Sequence, residues 1–230
     1  MIRRMALFDI DGTLLTTNGR AVQAMMAAME TVYGTRPAND GFLMDGKTEL
    51  RIVHELLASA GLPREEVTRR LPEFWRRYGE TLAECIHPAQ TTVYPGVHAL
   101  VARLRARADV ALGLLTGNCR AAARIKLAAA GLADAFAFGA YGEAHESRDD
   151  LPRLALAEAR ERLGLNLGGR AVAVLGDTPN DIRCARPLGL RAIAVATGRF
   201  GRADLAGHEP DFLFNDFSDG AAVEAAILAE

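Results

Sequence analysis

The sequence predicts an α/β protein built on a doubly wound parallel sheet, with a small helical bundle inserted after the first strand. Three observations predict it. Short, continuously apolar runs recur along the chain, as strands covered by helices on both faces require. From residue 97 onward these runs alternate with helix-like stretches, the pattern of a parallel sheet. Between residues 20 and 87 the alternation stops and only helical periodicity is left.

The first strand is "MALFDI" (5–10). The insertion follows it. Val22, Met25, Met26, Met29 and Val32 share one helical face, and Ile52, Val53, Leu56 and Leu57 form another. Leu71, Phe74, Trp75, Tyr78, Leu82 and Cys85 form a third. Pro72 is expected at the first position of that last helix, because a proline inside a helix costs ~3 kcal/mol. These stripes are read as bundle core. Turn-rich segments, "TTNGR" (16–20) and "HPAQTTVYPG" (87–96), border the insertion. Strands resume with "DVALGLLT" (109–116), "AVAVLG" (171–176) and "RAIAVAT" (191–197), and with the weaker "AFAFG" (135–139) and "DFLF" (211–214). The intervening helices are expected at 97–107, 118–130, 151–163, 179–187 and 219–229.

The 230 residues suit one large domain or a core with an appendage. A net charge of -2 points to neither a nucleic-acid nor a membrane partner. No apolar run approaches the ~20 residues of a membrane span, and the N-terminus does not resemble a signal peptide. Cys85, Cys119 and Cys184 are odd in number and widely spaced, as buried free thiols in a reducing compartment would be. A cytoplasmic location is expected. Of the 27 basic residues only Lys47 and Lys126 are lysine.

Ligands of open parallel sheets bind at the carboxyl ends of the strands. There the sequence reads Asp9-Ile10-Asp11-Gly12-Thr13, then Thr116-Gly117-Asn118, then Gly176-Asp177-Thr178-Pro179-Asn180-Asp181. Carboxylates gathered at one edge repel unless a cation lies among them, and an all-oxygen acidic set suits Mg²⁺. Thr116, Gly117 and Asn118 read either as a phosphate cradle at a helix N-terminus or, the simpler reading of the segment alone, as a plain N-cap at Asn118. Thr178, Pro179 and Asp181 have the spacing of a capping box, which leaves Asp177 unexplained.

"FDIDGTLL", "LLTGN" and "GDTPNDI", in this order and with a helical insertion after the first, resemble the haloacid dehalogenase (HAD)-like hydrolase superfamily. The nearest branch is that of the phosphoglycolate phosphatases and phosphosugar hydrolases. The resemblance implies a Rossmann-like core formed by residues 1–15 and 93–230 and a helical cap domain formed by 16–92. It implies a Mg²⁺-dependent phosphatase acting on a small phosphorylated metabolite through an aspartyl-phosphate. Asp9 matches the nucleophile and Asp11 the general acid and base. Asp9, the Asp11 carbonyl and Asp177 match the metal ligands, with Asp181 as a supporting acid. Thr116, Gly117 and Asn118 match the phosphate contacts. Asp9 and Asp11, two apart in extended chain, can face one substrate, and their environments must differ for one to hold a proton.

The sequence departs from the family at one position. The segment before the last acidic motif, "YGEAHESRDDLPRLA", lacks the family's lysine. Arg148 is the first substitute and Arg153 the second; a solvated arginine among acids is the other reading. In "MDGKTELR" (44–51), Lys47, Thr48 or Arg51 could touch the non-phosphate end of a substrate; alternatively Asp45 or Thr48 merely caps a helix and Lys47 is solvated. A phosphosugar mutase shares the core, and a phosphate-binding protein without turnover would keep the fold. A dehalogenase needs neither Asp11 nor Asp177. His54, His87, His98, His145 and His208 lack metal-ligand spacing and are given no role.

Overall fold

The computed structural model describes residues 1–230. Six parallel strands form the main sheet, in the order β5-β4-β1-β6-β7-β8. Its strands are β1 (Arg4–Phe8), β4 (Val110–Thr116), β5 (Phe138–Tyr141), β6 (Val172–Gly176), β7 (Arg191–Val195) and β8 (Phe212–Phe214). β1 lies inside the sheet because its residues Met5 to Phe8 are all buried. Ala6 and Phe8 enter one hydrophobic cluster, and Met5 and Leu7 enter the cluster on the opposite face, as the two-residue period of a strand dictates.

The first face is covered by α4 (Val97–Arg105), α5 (Arg120–Ala129) and α9 (Gly220–Leu228). The second is covered by α6 (Leu151–Leu163), α7 (Pro179–Ala185) and the short α8 (Arg202–Ala206). The expected strand at 135–139 begins only at Phe138. Ala135 and Phe136 instead pack on the cluster of the first face.

The insertion consists of α1 (Arg20–Tyr33), α2 (Glu49–Ser59) and α3 (Arg64–Cys85). Their apolar stripes meet in one cluster, which also takes in Cys119 and Ala122 from the start of α5. The two connections to the sheet lie side by side as an antiparallel pair, β2 (Leu15–Thr16) with β3 (Thr92–Val93). Pro72 does not open α3. The helix starts at Arg64, with Glu65 and Glu66 in its first turn, and carries Pro72 in its interior. Pro72 and Thr68 are both exposed, so the Thr68 carbonyl that loses its helical bond is open to water. Val67, Phe74, Tyr78 and Leu82, on both sides of it, are buried, and that packing offsets the local cost.

The register sets the site. Phe8 pairs with Leu114 on one side and Leu175 on the other, so the chain leaves β1, β4 and β6 at one level. Asp9 continues the ladder by donating its N–H to the Leu175 carbonyl at 2.9 Å. No helix is long and apolar enough to cross a bilayer. Cys85, Cys119 and Cys184 are free.

Candidate active site

Asp9, Asp177 and Asp181 are buried, and carboxylate oxygens of all three lie within 4.8 Å of one another. Gly12, at φ 81°, is required beside them, because a Cβ there would collide with the Asp177 carboxylate. Thr13 Oγ1 donates to Asp177 Oδ1 at 2.8 Å. Asp181 closes the expected capping box, its Oδ2 accepting from Thr178 N at 3.0 Å and Thr178 Oγ1 at 2.7 Å. Its other oxygen contacts Arg148.

Arg148 is 3 % exposed and sits in a 3-10 turn before α6. Its Nη2 lies 3.0 Å from Asp9 Oδ2, and its buried Nε has no partner. Arg153 lies exposed on α6. Burial, with the charges of Asp181 and Asp11, outweighs Arg148 and pushes the Asp9 carboxyl up to about 6. Burial, Asp181 and Asp9 push Asp177 well above the carboxylate range. Fully ionised, three carboxylates against one guanidinium would leave two negative charges, which with burial is what raises these pKa values. That deficit, in an all-oxygen donor set, fits one hard divalent cation.

Asp11 is less buried, its side chain 44 % exposed. Asn118 Nδ2 donates to Asp11 Oδ2 at 2.7 Å and to Thr116 Oγ1 at 2.7 Å. Asn118 is therefore not the N-cap of α5. Cys119 takes that position, its Sγ accepting from Ala122 N, and the Asn118 side chain turns to the strand tips. Lys126 was not anticipated. It is buried, and its ammonium donates to Asp11 Oδ2 and Asn118 Oδ1, each at 2.6 Å. Burial would lower its pKa, but Asp11 and Glu49 more than compensate and raise it. Glu49, from α2, crosses to the same corner. It accepts from Cys119 N and from Tyr78 OH, each at 2.7 Å. The sequence carried one faint signal for this: an arginine-rich chain keeps lysine at only two positions.

A cavity of about 360 Å³ lies between the strand tips and the helical insertion. Asp9, Asp11, Asp177, Arg148, Gly117 and Asn118 line it from the sheet side, and Lys47, Glu49 and Tyr78 from the insertion. Thr116 and Asp181 are fully buried behind this wall. Gly117 must lack a side chain because the Lys47 carbonyl packs against it. Thr48, and not Asp45, caps α2, accepting from Arg51 N at 3.3 Å. Lys47 Nζ pairs with Glu55 at 2.5 Å and lies 4.1 Å from the Phe42 ring centroid.

A sheet switch point carrying clustered carboxylates beneath a polar cavity defines a site for charged-group chemistry, and comparison with known proteins names the class. Residues 4–189 match the family model of the haloacid dehalogenase-like hydrolases, and the chain belongs to that family. It is 31 % identical over 215 residues to a phosphoglycolate phosphatase of Synechococcus elongatus, covering 93 % of each chain. It is 29 % identical over 230 residues to the probable phosphatase IndB of Dickeya dadantii, covering 99 % of this chain and 96 % of the other. Among solved structures, the β-phosphoglucomutase of Clostridium difficile superposes with a TM-score of 0.72 at 17 % identity, covering 99 % and 97 % of the two chains. The match extends over helical insertion and sheet alike.

Proposed function

We propose that this hydrolase is a Mg²⁺-dependent phosphatase that cleaves a small phosphorylated metabolite, of the phosphoglycolate or sugar phosphate type, through an aspartyl-phosphate. The observation that carries the reading is the buried Asp9–Asp177–Asp181 cluster, with Arg148 as its one contacting cation, beneath a cavity sized for a small ester. Asp9, the Asp11 carbonyl and Asp177 would hold Mg²⁺, with Asp181 in support. Bound there, it would neutralise the phosphoryl oxygens that otherwise repel a carboxylate nucleophile.

Asp9 attacks phosphorus, and the bond to the ester oxygen breaks as Asp11 gives that oxygen a proton. Asp11, now a carboxylate, takes a proton from water. The water oxygen attacks phosphorus and the Asp9–phosphorus bond breaks, releasing inorganic phosphate. Arg148, whose Nη1 carries no hydrogen bond, and the wall at Gly117 and Asn118 would orient the phosphoryl group. Residues 16–92 would act as a cap that excludes water and selects the leaving group. Lys47 and the exposed, unpaired Arg199 at the cavity wall suit an anionic or hydroxylated leaving group. Three free thiols suit a cytoplasmic setting.

The test is p-nitrophenyl phosphate turnover with and without Mg²⁺, for the wild type and Asp9→Asn, followed by phosphate release across a panel of phosphoglycolate and sugar phosphates. Turnover that needs Mg²⁺ and disappears in Asp9→Asn is expected. Undiminished turnover in Asp9→Asn would overturn the nucleophile assignment.

A further inference from the structure

Lys126 is the one buried ammonium in the protein, and nothing in the packing of α5 calls for it. Its neighbours Ala123 and Leu127 are ordinary core residues. An ammonium withdrawn from water is costly unless its donors are taken up. Here they are taken up by two site groups, Asp11 Oδ2 and Asn118 Oδ1, each at 2.6 Å.

The arrangement has three consequences for Asp11. First, Asp11 Oδ2 receives two donors, Lys126 Nζ and Asn118 Nδ2, while Oδ1 carries no hydrogen bond. The side chain is half-exposed and would otherwise sample several rotamers; with one oxygen tied, the other is left free. Second, Lys126 sets the orientation of the Asn118 amide. With the ammonium on Asn118 Oδ1, only Nδ2 can face Asp11 and Thr116; the flipped amide would set N–H against the ammonium. Third, the charges of Asp11 and Glu49 both favour the ammonium against its burial. Glu49 is itself fixed by Cys119 N and Tyr78 OH, so the insertion braces the same corner.

We propose that Lys126 is a positioning residue: through Oδ2 and Asn118 it holds the Asp11 carboxyl so that Oδ1 presents the proton to the ester oxygen. The inference rests on Asp11 being the general acid of the proposed reaction. Lys126 touches no reacting atom. Its effect is on the step in which a leaving group must be protonated.

Leaving-group release in the first turnover is the readout. An alkyl phosphate needs the proton and p-nitrophenyl phosphate does not, so their rate ratio isolates acid positioning from general loss of structure. Lys126→Met is expected to slow release from the alkyl ester on the order of 10²-fold, the scale of a misplaced catalytic group, with release from p-nitrophenyl phosphate changed only about threefold and KM little altered. Lys126→Gln, which keeps an amide donor, is expected to recover part of the ratio and also serves if Lys126→Met fails to fold. Asp11→Asn is measured alongside. Selective loss in Asp11→Asn with equal or no loss on the two esters in both Lys126 variants would overturn the inference and leave the general-acid reading intact. No selective loss in Asp11→Asn would remove that reading and the inference with it.

Discussion

Arg148 Nη2 stands 3.0 Å from Asp9 Oδ2, and the same guanidinium contacts Asp181. The family's usual lysine is absent from the segment, and a buried arginine occupies the position beside the nucleophile candidate. An arginine brings a planar fork, and here the Nε is left without a partner.

Arg148→Ala is therefore expected to lower kcat by roughly 10²-fold or more, the scale of lost electrostatic stabilisation at a reacting oxygen. It should also cost about 3–5 kcal/mol of stability, because two buried carboxylates lose their counter-charge. Steady-state turnover and urea unfolding read the two effects separately. Near wild-type turnover would remove Arg148 from the site.

Chelation should abolish activity, and Mg²⁺ should restore it. Because the folded cluster exists only in the native state, saturating metal should also stabilise the fold, by about 2.7 kcal/mol at a hundredfold excess over Kd. The thermal shift should vanish in Asp177→Asn, in which one cluster carboxylate becomes a neutral amide. A Mg²⁺ shift that persists undiminished in that variant would place the ion elsewhere.

Glu146, in the segment after β5, ties the insertion to the core: it accepts from His54 Nδ1 at 2.6 Å and contacts Arg64. Burial raises its pKa, but the bonds from Arg64 and then His54 outweigh burial and hold it below the ordinary 4.5. A lowered folded pKa means the tie contributes stability above about pH 4.5 and loses it as pH falls through the folded value. The Tm difference between wild type and Glu146→Gln should thus be present at neutral pH and close under acid. A difference that grows as pH falls would contradict the sign.

Lys47→Ala and Arg199→Ala should raise KM for phosphate esters bearing a carboxylate about tenfold while sparing p-nitrophenyl phosphate, on the scale of one charge-assisted hydrogen bond. Profiling across the metabolite panel checks this. An unchanged profile in either variant removes that residue as a specificity determinant.

The strands, the insertion and the acidic strand tips were legible because each is a local pattern. Continuous apolar runs, helical stripes and the 9–11, 116–118 and 177–181 motifs are all written over a few residues. The local cost of Pro72 predicts a helix start there, whereas packing of Phe74 and Tyr78 carries the helix through it. Asn118 admits two readings in the sequence; in the fold its backbone neighbour Cys119 takes the cap and frees the amide.

By itself the sequence determined the α/β alternation, the order of the motifs and which carboxylates stand at the strand ends, because hydrophobic period and turn chemistry act between near neighbours. Only the tertiary structure decided that Arg148 faces Asp9, that Lys126 reaches back two turns of α5 to Asp11, and that Glu49 crosses from the insertion to meet Cys119. Those pairings join residues 70 to 139 positions apart. They exist because a buried charge must find its partner wherever the folded chain brings one within reach.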